Sequence, residues 1–193
     1  MIISQKNEIK SFLLDGVEEE KVQLKPDPVW EKLRMTGSEI WLDTGDILEA
    51  ERLWSSKMKA LTTNNALLNN EIQKGIYDEF IKKAKSLVSH LSLKEQVVEI
   101  AFMLNAKHGL RLASKFGVSV SVELHTDTAH EVDAIVYYGK RFHEICPDQF
   151  IVKVPYTASG LIGARKLREA GVRINFTLEF SARQNVMVGL IKK

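Results

Sequence analysis

Short apolar segments alternate with longer helical segments along most of this chain, and this alternation constrains the fold more than any other feature. Each apolar segment resembles a buried strand, and the segment after it has helical periodicity. Repeated β–α units of this kind place their strands side by side in a parallel sheet covered by helices. We therefore predict an α/β fold with five strands, at residues 39–43, 58–62, 118–123, 150–155 and 173–177.

The helical segments carry recognisable start and stop signals. Asp46 is placed to cap the first helix, and Gly171 is placed to end the one that begins at residue 158. The residues around Lys107 and Gly109 predict a break in a long helix. The predicted helices cover 47 to about 57, about 65–86, about 93–115, about 128–145, 158–170 and 181 onward.

The first 36 residues lie before the first β–α unit, and we interpret them as an N-terminal appendage. Pro26 and Pro28 predict a loop within it. Residues 37–193 then form the second unit, a partial barrel domain. A chain of 193 residues is long enough for one sizeable core with a small addition.

Composition excludes several classes of protein. The formal net charge of +2 is close to balance, which predicts neither a nucleic-acid nor a membrane partner. Cys146 is the only cysteine, so an intrachain disulfide is impossible and no metal site is expected. No apolar run approaches the roughly 18 residues of a membrane span, and the charged N-terminus is unlike a signal peptide. We expect a soluble, cytoplasmic protein.

Polar residues interrupt the predicted strands on one face only, close to their carboxyl ends. Side chains alternate between the faces of a strand, so Lys153 lies opposite Val152 and Val154, and Glu123 lies opposite Val122. Covered parallel strands are normally apolar throughout. The carboxyl ends of the strands are where α/β proteins build their active sites, so this face is the candidate site.

A lysine facing carboxylates, amides and hydroxyls suits the formation of an imine with a carbonyl substrate. A lysine amine becomes nucleophilic near neutrality when desolvation lowers its pKa. Ile151 and Val154 would supply the apolar surroundings of Lys153. Carboxylates transfer the protons that this chemistry requires. The pattern suits a Schiff-base enzyme, but from the pattern alone a structural lysine that extends to the end of the sheet is the favoured interpretation.

The same residues lie within five motifs that resemble the transaldolase family, which includes the fructose-6-phosphate aldolase-like proteins. They occur in the order of the family and span roughly residues 39–190. The motifs are WLDTG at 41–45, LTTN at 61–64, VSVE at 120–123, VKVPYT at 152–157 with Gly160, and INFTL at 174–178 with Phe180 and Ser181. The resemblance implies a (β/α)8 barrel of the TIM type, of which this chain holds the first five units.

The resemblance also implies a role for individual residues. Lys153 matches the lysine that forms the imine, and Asp43 matches the carboxylate that takes a proton as the carbon–carbon bond breaks. Glu123 and Thr177 match the pair that holds a proton-relay water. The implied substrate-binding residues are Asn64, Asn175, Thr62 and Ser181.

The function that the resemblance implies is transaldolase activity: transfer of a dihydroxyacetone unit between sugar phosphates in the pentose phosphate pathway, without a cofactor or a metal. Glu123 favours this reaction over the aldolase alternative, because the aldolase-like branch is expected to have glutamine there. Asn175 before Thr177 favours it too. A third hypothesis is a catalytically silent, truncated family member.

The sequence departs from the family at three points. Asn65 and Ala66 stand where the family usually has Pro-Ser, and Tyr156 replaces a smaller residue. The last three strands of the barrel, with the arginines that clamp the phosphate, are missing. We expect a fragment or a truncated product. The alternative is that the appendage or a second copy covers the open sheet, which would make the protein a homo-oligomer.

Overall fold

Five strands form one parallel sheet in which the order in space follows the order in the chain. The computed structural model describes residues 3–23 and 28–191. The sheet curls into a half-barrel flanked by helices, so the predicted α/β class and partial barrel are confirmed. The strands are β1 Ile40–Asp43, β2 Met58–Thr62, β3 Ser119–Glu123, β4 Phe150–Pro155 and β5 Ile174–Thr177.

The described helices precede, connect and follow these strands. Asp46 caps the helix after β1 as predicted, because its carboxylate accepts hydrogen bonds from the backbone amides of Leu48 and Glu49. No helix in the described ranges is both long and apolar enough to cross a membrane. The helices are α1 Ile3–Leu14, α2 Pro28–Arg34, α3 Ile47–Leu53, α4 Asn65–Gln73, α5 Asp78–Leu87, α6 Leu93–Phe116, α7 Val132–Ile145, α8 Ala158–Glu169 and α9 Ala182–Ile191.

Three helix boundaries differ from the prediction. The stretch at 65–86 is divided into α4 and α5 at Gly75, whose φ of 77° lies in the left-handed region that a side chain disfavours. Helix α3 ends four residues earlier than predicted, at Leu53. Helix α7 begins at Val132, because a short 3₁₀ turn occupies Thr126–Thr128.

The predicted break near Gly109 is wrong, because α6 continues through it without interruption. Gly109 lies against the sheet, where a Cβ atom would come within 2.6 Å of Val122 Cγ1 and 3.1 Å of the Phe150 ring. The glycine therefore permits a close approach between helix and strand, and its helix propensity is a smaller effect.

The apolar core lies between the outer face of the sheet and the helices. Val120, Val122, Val152 and Val154 are fully buried on that face. The helices contribute other fully buried side chains, which are Met103, Leu112, Ile135, Phe142 and Leu167. This division of polarity leaves the inner face of the strands for the polar residues.

The N-terminal segment packs along α6. Leu13 of α1 is buried in the same core as the sheet. Lys107 Nζ donates hydrogen bonds to the carbonyl oxygens of Leu13 and Asp15, and Arg111 pairs with Glu19 at 2.7 Å. The division of the chain at residue 36 stays a prediction.

The predicted proline loop in that segment is only partly described. Pro28 is the first residue of α2, where the missing amide proton of proline is not needed. Pro26 lies outside the described residues.

Candidate active site

Lys153 is a buried lysine on the inner face of β4. The neighbouring Val152 and Val154 point to the opposite, helix-covered face and are fully buried. Lys153 Nζ donates a hydrogen bond of 3.1 Å to the carbonyl oxygen of Thr63, the residue after β2. A buried amine held by a neutral acceptor is well placed to react with a carbonyl.

Glu123, at the end of β3, is the carboxylate beside this amine. It is the register partner of Lys153, and its Oε1 lies 3.9 Å from Lys153 Nζ. Its other oxygen, Oε2, accepts hydrogen bonds from the backbone amide of Asn65 at 2.8 Å and from Asn65 Nδ2 at 2.9 Å. One oxygen is thus held by Asn65, and the other faces the lysine.

Asn175 continues this row onto β5, since it is the register partner of Lys153 on the other side. Its Nδ2 donates a hydrogen bond of 3.2 Å to the hydroxyl of Ser121, a fully buried residue of β3. This contact spans β4, as the curvature of the sheet allows. Asn175 and Ser121 therefore lie on the inner face together with the lysine.

Asp43 and Thr62 form a second row on β1 and β2. Asp43 is the register partner of Thr62, and Thr62 is the partner of Ser121. Thr62 is half-buried, whereas Asp43 is exposed at the end of the edge strand. The nearby Asp46 serves the helix instead: a hydrogen bond from Lys74 and the backbone amides of α3 lower its pKa.

The other three predicted residues lie at the ends of elements. Asn64 caps α4, since its Oδ1 accepts a hydrogen bond of 2.9 Å from the Leu67 amide. Thr177 is half-buried at the end of β5, opposite Pro155. Ser181 is exposed, and its hydroxyl accepts a hydrogen bond from the amide of Gln184 at the start of α9. The structure does not bring Ser181 into the buried row.

Sequence reasoning missed four residues that hold this site. Ser121 could have been found, because it shares a strand face with Glu123. Asn65 was noted only as a departure from the family. Thr63 and Asn105 had no local signal, because Thr63 acts through its carbonyl oxygen and Asn105 donates a hydrogen bond to Asn65, 40 residues away along the chain. Tyr156, which stands where the family commonly has a smaller residue, lies with its ring edge-on to Phe176 at 6.3 Å.

The combined geometry is suited to carbonyl chemistry. A buried amine, a carboxylate and an amide share one row, and hydroxyl and amide groups surround it. Within residues 3–23 and 28–191, no group of three or more histidine, cysteine, aspartate or glutamate side chains is placed to hold a metal ion. The described groups can attack a carbonyl carbon, transfer protons and bind hydroxyls.

Comparison with known proteins finds one matching family profile and several relatives of similar sequence. The transaldolase/fructose-6-phosphate aldolase family profile matches residues 40–190. A protein named "Probable transaldolase" from Thermus thermophilus is 32% identical over 151 residues, which are 77% of this chain and 56% of that protein. A transaldolase from Xanthomonas euvesicatoria is 27% identical, over 74% of this chain and 46% of the relative. One from Renibacterium salmoninarum is 30% identical, over 78% and 43%. The chain spans about half the length of these curated relatives.

Proposed function

Since this chain belongs to the transaldolase/fructose-6-phosphate aldolase family, we propose that Lys153 forms a Schiff base with a ketose phosphate and that the reaction is transaldolase transfer. The unit transferred is dihydroxyacetone, and the acceptor is an aldose phosphate. The observation that carries the proposal is the buried Lys153 amine, with Glu123 Oε1 3.9 Å away.

Imine formation is the first step. The neutral amine of Lys153 attacks the ketose carbonyl carbon, a C–N bond forms, and the carbonyl oxygen takes up a proton that comes from solvent through the relay water. Glu123 accepts a proton from the nitrogen and returns it to the departing oxygen, which leaves as water. Thr177 and Glu123 hold the relay water between them. The resulting iminium is the electron sink of the next step, so the proposed chemistry requires neither a metal nor an organic cofactor.

Cleavage of the carbon–carbon bond follows. Asp43 takes the proton of the substrate hydroxyl next to that bond, the bond breaks, and its electron pair moves into the iminium to give an enamine. The aldehyde fragment leaves. The enamine then attacks the carbonyl carbon of the acceptor, Asp43 returns the proton, and water hydrolyses the new imine to release the product and Lys153.

The remaining residues bind the sugar in this proposal. Asn175 lies beside Lys153, and its amide suits the hydroxyls of the dihydroxyacetone portion. Asn64, Thr62 and Ser181 complete the set of proposed contacts. We propose further that the reaction belongs to the pentose phosphate pathway and takes place in the cytoplasm, a proposal that rests on the family alone.

The test is incubation with fructose 6-phosphate and borohydride, followed by intact mass and peptide mapping. We expect one reduced adduct, on Lys153. Lys107 is the stringent internal control, because it is also buried and burial lowers its pKa, yet it contacts the N-terminal segment and not the inner face of the sheet that carries Glu123. Lys153→Met should abolish the adduct, and Lys107→Met should not.

The products separate the candidate reactions. Transfer to an added aldose phosphate supports transaldolase, and release of free dihydroxyacetone supports the aldolase alternative. The silent alternative is favoured by one observation, the exposure of Asp43 at an edge of the described sheet. An adduct on Lys107, or on no lysine at all, would contradict the proposed function.

A further inference from the structure

Asn65, the first residue of α4, is joined to the end of β3 by three hydrogen bonds. Its backbone amide and its Nδ2 both donate to Glu123 Oε2, and Nδ2 also donates to the carbonyl oxygen of Leu124 at 3.1 Å. These groups lie 58 and 59 residues away along the chain. The contacts therefore join the start of α4 to the end of β3.

The orientation of the Asn65 amide is determined by its neighbours. Glu123 Oε2 and the Leu124 carbonyl are acceptors, so the NH₂ group must face them. The opposite end, Oδ1, accepts a hydrogen bond of 3.1 Å from Nδ2 of Asn105. Asn105 is buried on α6, and the same Nδ2 donates to the Ala101 carbonyl. A buried amide on α6 thus orients the amide that holds Glu123.

The backbone does not require asparagine at this position. Asn65 is the first residue of α4, where proline is well tolerated because helix formation does not use that amide proton. Asn64 before it has φ −148° and ψ 170°, the extended conformation that a following proline favours. The chain could therefore hold the proline that is usual in the family. What proline lacks is the two N–H donors that contact Glu123.

We infer that Asn65 is a positioning residue of this chain, which fixes the Glu123 carboxylate so that only Oε1 faces Lys153. The inference rests on the proposed function, because it assigns Asn65 to the proton transfers of imine formation. Two donors on Oε2 hold that oxygen as an acceptor, so proton exchange with the amine side falls to Oε1, 3.9 Å from Lys153 Nζ. Without them, Glu123 is free to move closer to Lys153 Nζ and to leave the relay position.

Two substitutions separate this role from a structural one. Asn65→Pro removes both donors in a backbone that accepts proline, and Asn65→Ala removes the side-chain donor only. Asn70→Ala, at an exposed asparagine of the same helix, is the matched control. We expect the rate of adduct formation with fructose 6-phosphate and borohydride to fall roughly 10- to 100-fold in Asn65→Pro. The fall should be about tenfold in Asn65→Ala, with the half-saturating sugar concentration within about twofold of wild type.

A double-mutant cycle supplies the readout that a purely structural residue would not move. In a Glu123→Gln background, Asn65→Pro should change the rate by no more than about twofold, because its effect acts through the carboxylate. A wild-type rate in Asn65→Pro overturns the inference. So does a loss of equal size with and without Glu123.

The contact itself can be tested without turnover, by following backbone amide resonances of ¹⁵N-labelled protein through an acid titration. The Asn65 resonance is identified as the one that disappears in Asn65→Pro, because proline has no backbone amide proton. We expect it to move with pH in wild type and to stay constant in Glu123→Gln. A signal that does not respond in wild type overturns the inference even if Lys153 reacts. If no adduct forms but the signal responds to pH, the proposed function is contradicted, whereas the contact between Asn65 and the Glu123 carboxylate is supported.

Discussion

Polar side chains on the central strands of the sheet differ in burial and hydrogen bonding from those at its outer ends. On β3 and β4, Ser121 and Glu123 accept hydrogen bonds from Asn175 and Asn65, and Lys153 donates one to Thr63; all three side chains are buried or half-buried. On β1 and beyond β5, Asp43 and Ser181 are exposed. The central strands pair on both sides, whereas β1 and β5 each pair with one strand among the residues that the structure describes.

This difference divides the proposed reaction in two. The groups proposed for imine formation, Lys153 and Glu123, lie where the sheet is most enclosed, and Asn65 holds one of them. Asp43, the group proposed for carbon–carbon cleavage, lies at an edge. We therefore expect imine formation to depend on contacts within this chain, and cleavage to depend more on what covers the edge.

The largest expected effect comes from substituting one group in each region. Lys153→Met should remove the borohydride adduct completely, because among the residues that the structure describes no other amine shares the row of Glu123 and Asn175. Asp43→Asn should form the adduct within about threefold of the wild-type rate, yet lose about 10²- to 10⁴-fold in cleavage, as expected for a general base. Adduct mass and aldehyde release measure the two steps. Equal loss of the adduct in both variants would show that imine formation and cleavage do not depend on separate regions of the sheet.

The second prediction compares a buried ion pair behind the central strands with an exposed one. Arg141 of α7 contacts Glu99 of α6 through two hydrogen bonds, of 2.7 and 2.9 Å, and both side chains are only 5% exposed. Arg141→Met should lower the free energy of unfolding by about 3–5 kcal/mol, because it leaves the Glu99 carboxylate buried without its cation.

The exposed pair is the matched control. Arg165→Met interrupts a pair with Glu169 in which the side chains are 74% and 65% exposed, so we expect a change below about 1 kcal/mol. Urea unfolding of both variants measures the contrast. Similar losses in the free energy of unfolding would show that an ion pair behind the central strands contributes no more to stability than one on the surface.

The third prediction uses two glycines in helices. Gly109→Ala should destabilise the protein by about 1–3 kcal/mol, because the new methyl group would meet Val122 at 2.6 Å. Gly189→Ala, in α9 at the β5 end, has nothing within 4 Å of the new Cβ. It should stabilise α9 by about 0.5–1 kcal/mol through helix propensity. Thermal unfolding of the two variants should therefore shift in opposite directions, and a shift in the same direction contradicts the packing argument.

The smallest effect is a pH dependence from α6. His108 is fully buried, and its Nδ1 lies 2.8 Å from the hydroxyl of Tyr77. Burial, and then the charge of Arg111, lowers the pKa of His108 from 6.5 to about 4. Between these values the unfolded chain binds a proton that the folded chain does not, so stability falls as pH decreases. The expected contribution is about 1 kcal/mol between pH 7 and 5.5.

Urea unfolding at the two pH values measures that contribution. The pH-dependent loss should be smaller by this amount in His108→Gln and unchanged in His130→Gln, an exposed control. An unchanged loss in His108→Gln would show that His108 is not held neutral in the folded protein.

The local pattern of the sequence was sufficient for the strands and for the face that carries the chemistry. β2 and β4 lie where they were predicted, because apolar runs and turn residues are local signals. The period of two along a strand also placed Lys153 and Glu123 on the same side, and the register confirms that they are neighbours. Asp46 was identified as a cap for the same reason, since capping involves residues two or three apart.

The tertiary structure alone decided how those residues are held. Asn65 and Asn105 reach Glu123 through contacts that join α4, α6 and β3, and Gly109 lies under Val122 rather than breaking its helix. Asn64, expected at the substrate, has its side-chain oxygen bonded to the start of α4. Hydrogen bonds and close approaches between distant residues depend on the curvature of the sheet and the position of each helix against it. A local sequence pattern contains neither the curvature of the sheet nor the position of a helix against it. The sequence therefore determined which residues line the inner face, and the packing determined which atoms face one another.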